Sequence, residues 1–331
     1  MNTETAPLYS PAPDWSGRND GPGPEHARWH SVIEPIAQDS PAGVALLGFA
    51  SDEGVERNGG RQGAAAGPAA LREALGGLAI HDELALFDAG TITTQETDLE
   101  GAHEELSSRV ATLIDAGHLT VILGGGHETA FGSHRGLFRS LGAAQIINLD
   151  AHFDLRSEDR PTSGTPFLQI SQLVGKKDFD YSVLGISQPN NTATLFETAN
   201  ELGVHITLDE DLAEMSVKEA AQLARVLVQN SPHERVHLSI DMDVLPADQA
   251  PGVSAPAALG VSFDRIRAIA VAIAATGKLA LVDVVEINPR FDQDNRTAKL
   301  GARLINDIAV AHVLSTSATE KITQGIVHSR R

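Results

Sequence analysis

Residues 147–156 read INLDAHFDLR, a short apolar run followed by Asp150, His152 and Asp154 at alternate positions. Alternate residues of an extended segment point to the same side, so two carboxylates and one imidazole would converge there. Such side chains bind divalent metal ions in proteins. A solvated turn after a strand is the alternative for this motif taken alone, and other parts of the chain must decide between the two.

Three further stretches place polar side chains after apolar runs. TVILGGG leads to His127, VHLSIDMD ends in Asp241 and Asp243, and ALVDVVEIN contains Glu286. Taken singly, these could be a glycine-rich turn with a surface histidine, a calcium-binding or capping pair, and an ordinary acidic residue. Their joint occurrence argues against a purely structural explanation.

The candidate ligands comprise two imidazoles and four carboxylates: His127, Asp150, His152, Asp154, Asp241 and Asp243. Four negative charges balance two divalent cations and would overbalance one. An oxygen-rich set favours Mn²⁺ or a similar octahedral ion over Zn²⁺. Ions held ~3.5–4 Å apart can lower the pKa of a water enough to supply hydroxide near neutral pH. The motifs therefore predict a dinuclear hydrolase, with Asp150 and Asp241 as the bridging ligands.

The elements that must position these residues alternate along the chain. Short apolar or β-branched runs predict eight strands, which begin at Val44, Leu84, Thr120, Gln145, Tyr181, Val204, Val236 and Ala280. Helical patterns lie between them, such as GPAALREAL, AHEELSSRVATLIDAG, VKEAAQLARVLVQN and FDRIRAIAVAIAATG. This alternation is typical of one α/β domain with an eight-stranded parallel sheet and helices on both faces. Ligands of such sheets bind beyond the carboxyl ends of the strands, where the polar motifs would meet.

Composition limits the other possibilities. Residues 1–40 are rich in Pro, Gly and polar residues and predict an extended arm, whereas 41–331 show no repeat or linker and predict a single catalytic domain. A net charge of -19 and a pI near 5.0 argue against nucleic-acid and anionic-membrane partners. The chain has no signal-peptide pattern at its start and no cysteine. We therefore expect a cytoplasmic protein with a small-molecule substrate.

The motifs GGGHE, NLDAHFDLR and SIDMDVLPADQAPGVSAPA together resemble the ureohydrolase superfamily, which comprises arginases, agmatinases and formimidoylglutamases. The resemblance extends from about Val44 to Val313 and implies an arginase-like fold, a dimanganese centre and a homo-oligomer. It also implies that Glu286 holds a cationic amidine or guanidine and that Asp154 carries a proton to the departing amine. By that likeness one ion is bound by His127, Asp150, Asp154 and Asp241, and the other by Asp150, His152, Asp241 and Asp243.

Departures from the arginase pattern bear on the substrate. Arg156 stands where arginases carry Asn, and the segment around Phe167 lacks a histidine that arginases use, so arginase activity is disfavoured. Arg156 would also repel the free amine of agmatine. Its guanidinium could instead bind a carboxylate through two parallel hydrogen bonds. The chain looks most like the formimidoylglutamases, and this implies hydrolysis of N-formimidoyl-L-glutamate to L-glutamate and formamide.

The second carboxylate of that substrate needs further donors. The segment SDEGVERNGGRQGAAAGPAALR resembles the formimidoylglutamase form of an early loop and offers Arg57, Asn58 and Arg61, although a basic surface turn is the alternative. The loop SQPNNTATLF offers Asn191.

Two other functions remain open. One is hydrolysis of a guanidino acid such as guanidinobutyrate or arginine, with release of urea. The other is a metal-binding regulatory protein without turnover, which the full set of ligands together with Glu286 disfavours. The paired Asp150/His152 and Asp241/Asp243 also disfavour the single-zinc deacetylases of this fold.

Overall fold

The computed structural model describes the backbone of residues 8–328 and the side chains of residues 8–316. Its strands are β1 Tyr9–Ser10, β2 Glu34–Pro35, β3 Val44–Ala50, β4 Leu86–Thr93, β5 Leu119–Leu123, β6 Gln145–Leu149, β7 Asp180–Ile186, β8 His205–Leu208, β9 Val236–Asp241 and β10 Leu279–Val285. The eight predicted strands correspond to β3–β10, which confirms them. The two-residue strands β1 and β2 were not predicted, because segments so short carry no periodic signal.

All ten strands belong to one sheet. Along it they lie in the order β1, β4, β3, β5, β10, β9, β6, β7, β8, and β2 pairs with β4. Only the β1 pairing is antiparallel among the described strands. The strands β5, β10, β9 and β6 are neighbours, so the four polar motifs do meet at adjacent strand ends, as predicted.

The helices are α1 Trp29–Val32, α2 Glu53–Arg57, α3 Gly67–Gly76, α4 Leu99–Asp115, α5 Thr129–Leu141, α6 Pro166–Val174, α7 Ala193–Leu202, α8 Asp209–Glu214, α9 Val217–Asn230, α10 Phe263–Ala274 and α11 Arg296–His328. One layer contains α3, α11, α10 and α9, and the other contains α4, α5 and α6. Local signals set some of these boundaries. Before α9, the Ser216 hydroxyl accepts a hydrogen bond from Glu219 N, and the Glu219 carboxylate accepts one from Ser216 N.

The central strands are buried on both faces, as parallel strands between two helical layers must be. Every residue of β5, β6, β9 and β10 is buried. Burying each Val, Leu or Ile side chain contributes about 1.5–3 kcal/mol. Such a core holds the strand ends rigidly, which is what a site built from several strands requires.

Residues 8–40 pack on this core. β1 pairs with β4, Trp15 Nε1 donates to Asp88 Oδ2 at 2.8 Å, and buried Trp29 donates to Asn306 Oδ1 at 2.9 Å. The first seven residues of the predicted arm and the last three of the predicted domain lie outside the described residues. Within the described part of the chain, no helix has the length and apolar character needed to cross a membrane.

Candidate active site

The predicted metal ligands lie at or just beyond the strand ends, and Asp241 is the last residue of β9. Sequence analysis placed them on extended strands that continue to Asp154 and Asp243, and this detail is wrong. β6 ends at Leu149, a 3₁₀ turn occupies Met242–Val244, and Asp154 has a left-handed φ of 51°. The side chains converge because each chain turns sharply after its strand, and not because of strand alternation.

The two D-x-[HD] pairs turn in the same way. Asp150 Oδ1 accepts a hydrogen bond from His152 N at 2.7 Å, and Asp241 Oδ1 accepts one from Asp243 N at 2.8 Å. The second oxygens of the same carboxylates face His127 Nδ1, at 3.0 Å from Asp150 and 3.1 Å from Asp241. In each pair the first aspartate thus fixes the turn with one oxygen and presents the other to the centre of the cluster.

The structure brings all six predicted ligands together. Asp154 Oδ2 also lies 2.9 Å from His127 Nδ1. His152 Nδ1 lies 3.1 Å from Asp243 Oδ2 and 3.6 Å from Asp150 Oδ1. Two triads have ligand atoms that all lie within 4.8 Å of one another: His127, Asp150 and Asp154, and Asp150, His152 and Asp243. Asp150 belongs to both triads, and Asp241 adjoins the first through His127.

The hydrogen bonding of the cluster fits bound cations. His127 Nδ1 is buried and makes no hydrogen bond of proper geometry, although three carboxylate oxygens surround it. Its Nε2 lies 3.0 Å from Ser239 Oγ, which can hold the proton there and leave the Nδ1 lone pair free. Asp243 Oδ1 is also buried without a partner. A cation between these atoms would satisfy ligands that protons alone do not.

Most of the pKa shifts point the same way, although at Asp150 burial is outweighed by the imidazoles of His127 and His152, which lower the pKa. Burial and the charges of neighbouring aspartates raise the pKa of Asp154 and raise that of Asp241 well above its ordinary value. Burial would lower the pKa of His127, but the three carboxylates outweigh it and raise the pKa well above the ordinary value. The cluster therefore lacks positive charge, which divalent ions would supply.

Glu286 lies directly after β10 and approaches the same cluster. Its backbone is left-handed, with φ 64°, a conformation that costs about 1–3 kcal/mol for such a residue. Oε1 accepts a hydrogen bond from His127 N at 2.9 Å, and Oε2 is buried without a partner. Burial, Glu128 and Asp243 raise the pKa of Glu286 well above its ordinary value. The free Oε2 is an acceptor in need of a cationic donor.

A cavity of about 350 Å³ opens onto the cluster. Its lining includes buried acidic groups at one end, among them Asp241, Asp243 and Glu286, and the exposed Arg61 and Arg156 at the other. A ligand with a cationic head and an anionic tail would match this separation of charge.

The predicted substrate-binding residues differ in whether their side-chain donors already have hydrogen-bond partners. The Arg156 guanidinium has no hydrogen-bond or ion-pair partner among the described residues, while its backbone N donates to Gly164 O at 2.9 Å. Asn58 Nδ2 donates to Ser163 Oγ at 3.1 Å. Arg61 Nε donates to Ser254 O at 2.9 Å. All three predicted residues line the cavity, and Arg156 is the most available to a ligand.

Two other predicted residues have contacts that change their interpretation. Arg57 does not line the cavity, because it pairs with Glu53 at 2.8 Å and Glu100 at 3.1 Å, so its candidacy was wrong. Asn191 does line it, but its Nδ2 donates to Ala151 O and Ser187 O, both at 2.9 Å. Asn191 thus has no N–H left for a substrate carboxylate, and it supports the turn that carries His152.

Sequence reasoning missed several residues of the site. Ser163 and Ser254 line the cavity, but small polar residues in loops carry no recognisable signal. Ser239 was recognisable, because it precedes Asp241 by two positions on one strand and therefore shares its face. Glu128 is also buried. Its Oε1 accepts hydrogen bonds from Gly54 N and Ser51 Oγ, and burial raises its pKa to about 7.

Comparison with known proteins places the chain in context. The model of the arginase family matches residues 42–311. The formimidoylglutamase of Corynebacterium efficiens is 53% identical over 305 residues, 91% of this chain and 96% of that protein. The formimidoylglutamase of Rhodococcus opacus is 49% identical over 317 residues, 92% of this chain and 98% of that protein.

Solved structures resemble the whole fold. The Trypanosoma cruzi formiminoglutamase crystallised with Mn²⁺ superposes with a TM-score of 0.75 at 29% identity, covering 83% of this chain and 95% of that one. The Bacillus subtilis formimidoylglutamase gives a TM-score of 0.79 at 23% identity, covering 87% and 92%. These likenesses confirm the fold that the sequence predicts.

Proposed function

The chain belongs to the arginase family of hydrolases, and we propose that it hydrolyses N-formimidoyl-L-glutamate to L-glutamate and formamide with two Mn²⁺ ions. The observation that carries this proposal is the charge separation of the cavity, which has carboxylates at its buried end and two arginines at its exposed end. The substrate offers the matching groups: an amidinium at one end, an α-carboxylate on the carbon that bears the amidine nitrogen, and a second carboxylate at the far end of the side chain. The names of the similar curated proteins support the same substrate.

The donor set fits the two ions. We assign His127, Asp150, Asp154 and Asp241 to one, and Asp150, His152, Asp241 and Asp243 to the other. When bound, such ions supply the Lewis acidity that makes water nucleophilic near neutral pH. Hard oxygen ligands in this number favour Mn²⁺ over Zn²⁺.

The chain's own residues account for binding and proton transfer. Glu286 Oε2, which is buried without a partner, accepts an N–H of the substrate amidinium and fixes the orientation of the amidine carbon. Water adds to this carbon, and the bond to the glutamate nitrogen then breaks. The departing amine needs a proton. Asp154 can carry one on Oδ1, because its Oδ2 faces His127.

The exposed end of the cavity binds the carboxylates. Arg156 has its guanidinium free to bind one of them through two parallel hydrogen bonds. Arg61 and Asn58 lie on the opposing loop and would bind the other. Because guanidinium groups do not ligate cations, the arginines select the substrate without contributing to metal binding.

A product assay tests the substrate directly. The purified Mn²⁺-loaded protein is incubated with formimidoylglutamate, arginine, agmatine and guanidinobutyrate. We expect formamide and glutamate from the first compound and little urea from the others. Urea as the main product would show a guanidino-acid hydrolase instead. Absence of turnover on every compound, with two metals bound, would favour the regulatory metal-binding protein.

Arg156→Lys should weaken substrate binding about tenfold, since an ammonium cannot reproduce the paired hydrogen bonds of guanidinium. The weaker binding should appear mainly as a higher KM, and the metal content of the variant should equal that of the wild type. A formamidine without carboxylates should show little difference between variant and wild type. Arg160→Lys is a matched control, because Arg160 lies on the same segment but faces Glu100 at 3.5 Å and does not line the cavity. Equal losses on both substrates would assign Arg156 to the metal site or the fold.

Three further predictions belong to this proposal. Residues 1–40 serve as an N-terminal arm, of which residues 8–40 pack on the catalytic domain and add β1 and β2 to its sheet, the protein is a homo-oligomer, and it acts in the cytoplasm. Light scattering of the purified protein tests the second of these.

A further inference from the structure

Asn288 is a fully buried polar residue that lies outside both the ligand cluster and the cavity lining. Its backbone N donates to Gly252 O at 2.6 Å, and its Nδ2 donates to Arg61 O at 2.9 Å. Its Oδ1 accepts a hydrogen bond from Arg290 N at 3.1 Å. The side chain thus joins the segment after β10 to the glycine-rich loop of residues 58–63, and the backbone N–H of the same residue reaches the loop after β9.

The glycine-rich loop is shaped for this contact. Gly63 has φ 136°, and a Cβ at this position would lie 2.2 Å from Asn288 Oδ1. Gly63 N donates to Asp52 Oδ2 at 2.6 Å, which holds the loop from its other side. Only a glycine permits so close an approach, so the loop and Asn288 form one fitted junction.

Arg61 is attached to the same junction at further points. Its backbone N donates to Ser254 Oγ at 2.9 Å, and its guanidinium donates to the carbonyls of Val253 and Ser254. The guanidinium also lies over the Phe291 ring, 4.0 Å from its centroid. Both contacting segments are bonded to the backbone of Asn288, because Gly252 O accepts its N–H and Phe291 N donates to its carbonyl at 3.1 Å; the side chain adds the bond to Arg61 O.

The junction is also close to the amidine end of the site. Asn288 follows Glu286 by two residues, and Glu286 N donates to Gly125 O at 2.7 Å. Because these connections are short and buried, they restrict changes in the distance between the carboxylate of Glu286 and the guanidinium of Arg61.

We propose that Asn288 is a positioning residue that fixes the distance between Glu286 and Arg61 and thereby the length of substrate that the cavity accepts. The roles of Glu286 and Arg61 rest on the proposed function. A displacement of one end by about 1 Å can cost on the order of 100-fold in rate, because the amidine carbon is then misplaced. Asn288 therefore determines selectivity without touching the substrate.

The test compares substrates of different length. Formimidoylglutamate, its aspartate analogue with one methylene fewer, and a formamidine without carboxylates are assayed with wild type and Asn288→Ala. We expect kcat/KM for formimidoylglutamate to fall at least about tenfold, since a buried hydrogen-bonding group is lost. The ratio of kcat/KM for formimidoylglutamate to kcat/KM for the aspartate analogue should decrease. For the carboxylate-free compound, kcat/KM should change by less than about threefold. Metal content should stay at the wild-type value.

Gln145→Ala is the matched control. Gln145 is likewise a buried amide that donates to a backbone carbonyl, Leu227 O at 3.1 Å, but it lies at the start of β6. Its loss should leave the substrate preference unchanged. Equal losses of Asn288→Ala on all three compounds, or an unchanged preference, would overturn the inference. A wild type that does not hydrolyse formimidoylglutamate would instead overturn the proposed function, and this inference with it.

Gly63→Ala perturbs the same junction from the opposite side. It replaces Asn288→Ala as the test variant if Asn288→Ala does not fold. Its Cβ would displace Asn288, and we expect the same narrowing of substrate preference. Gly142→Ala is its control, because Gly142 has φ 77° and no atom within 4 Å of an added Cβ. Unchanged preference in folded Gly63→Ala would contradict the proposal.

Discussion

Asp150→Asn is expected to abolish hydrolysis and to reduce the bound metal to one ion or fewer per chain. Asp150 belongs to both triads of the cluster, so the substitution removes one negative charge from each proposed ion at once. The amide oxygen can still accept the hydrogen bond that Asp150 receives from His152 N, so the turn should survive. The loss of several kcal/mol of electrostatic stabilisation corresponds to at least about a 1,000-fold decrease in kcat/KM.

Mass spectrometry of the metal and steady-state kinetics decide this prediction together. Asp209→Asn is the matched control, because Asp209 is buried at the start of α8, accepts a hydrogen bond from Glu210 N at 2.8 Å and does not line the cavity. It should retain wild-type metal content and turnover. If purified Asp150→Asn held two ions and turned over normally, the dinuclear assignment would be wrong.

The strands could be predicted because their signal is local. Val44–Ala50 is a continuous apolar run of strand length and Leu279–Val285 is one interrupted only by Asp283, which indicates buried strands in an α/β pattern. The order of the strands could not be predicted in the same way. β10 inserts between β5 and β9, so it pairs with Leu119–Leu123 from more than 150 residues earlier in the chain. Such pairings depend on tertiary packing that no local pattern encodes.

For the same reason, the metal ligands could be predicted from sequence better than the substrate-binding residues. The spacing of Asp150 and His152 led to the correct expectation that they associate, although a local turn and not strand alternation brings them together. Arg57 looked equivalent to Arg61 in sequence, but Glu100 on α4 neutralises it. Similarly, the amide of Asn191 is used by Ala151 O and Ser187 O. A residue whose role depends on a remote partner could be chosen only after the fold was known.

Glu286→Gln is expected to keep both metals and to lose most activity. Gln retains an oxygen that can accept the His127 N–H now held by Oε1, so the backbone around the cluster should not change. At the Oε2 position, however, an NH₂ donor would face the amidinium, and the charged hydrogen bond would be lost. Such a bond is worth about 1.5–3 kcal/mol, and leaving the buried cationic partner unpaired costs more. We therefore expect kcat/KM to fall by about 100-fold or more.

Two measurements separate the possible roles of Glu286. If its carboxylate binds substrate, the variant should show wild-type metal content and a loss that is equally large for formimidoylglutamate and for a formamidine without carboxylates, because both present the same amidinium. Arg156→Lys should discriminate between these two compounds, so the pair of variants assigns opposite ends of the cavity. Loss of metal in Glu286→Gln would make the residue a support of the cluster. Unchanged turnover would remove it from the site, and the buried, unpartnered Oε2 at a strained backbone position would then need another explanation.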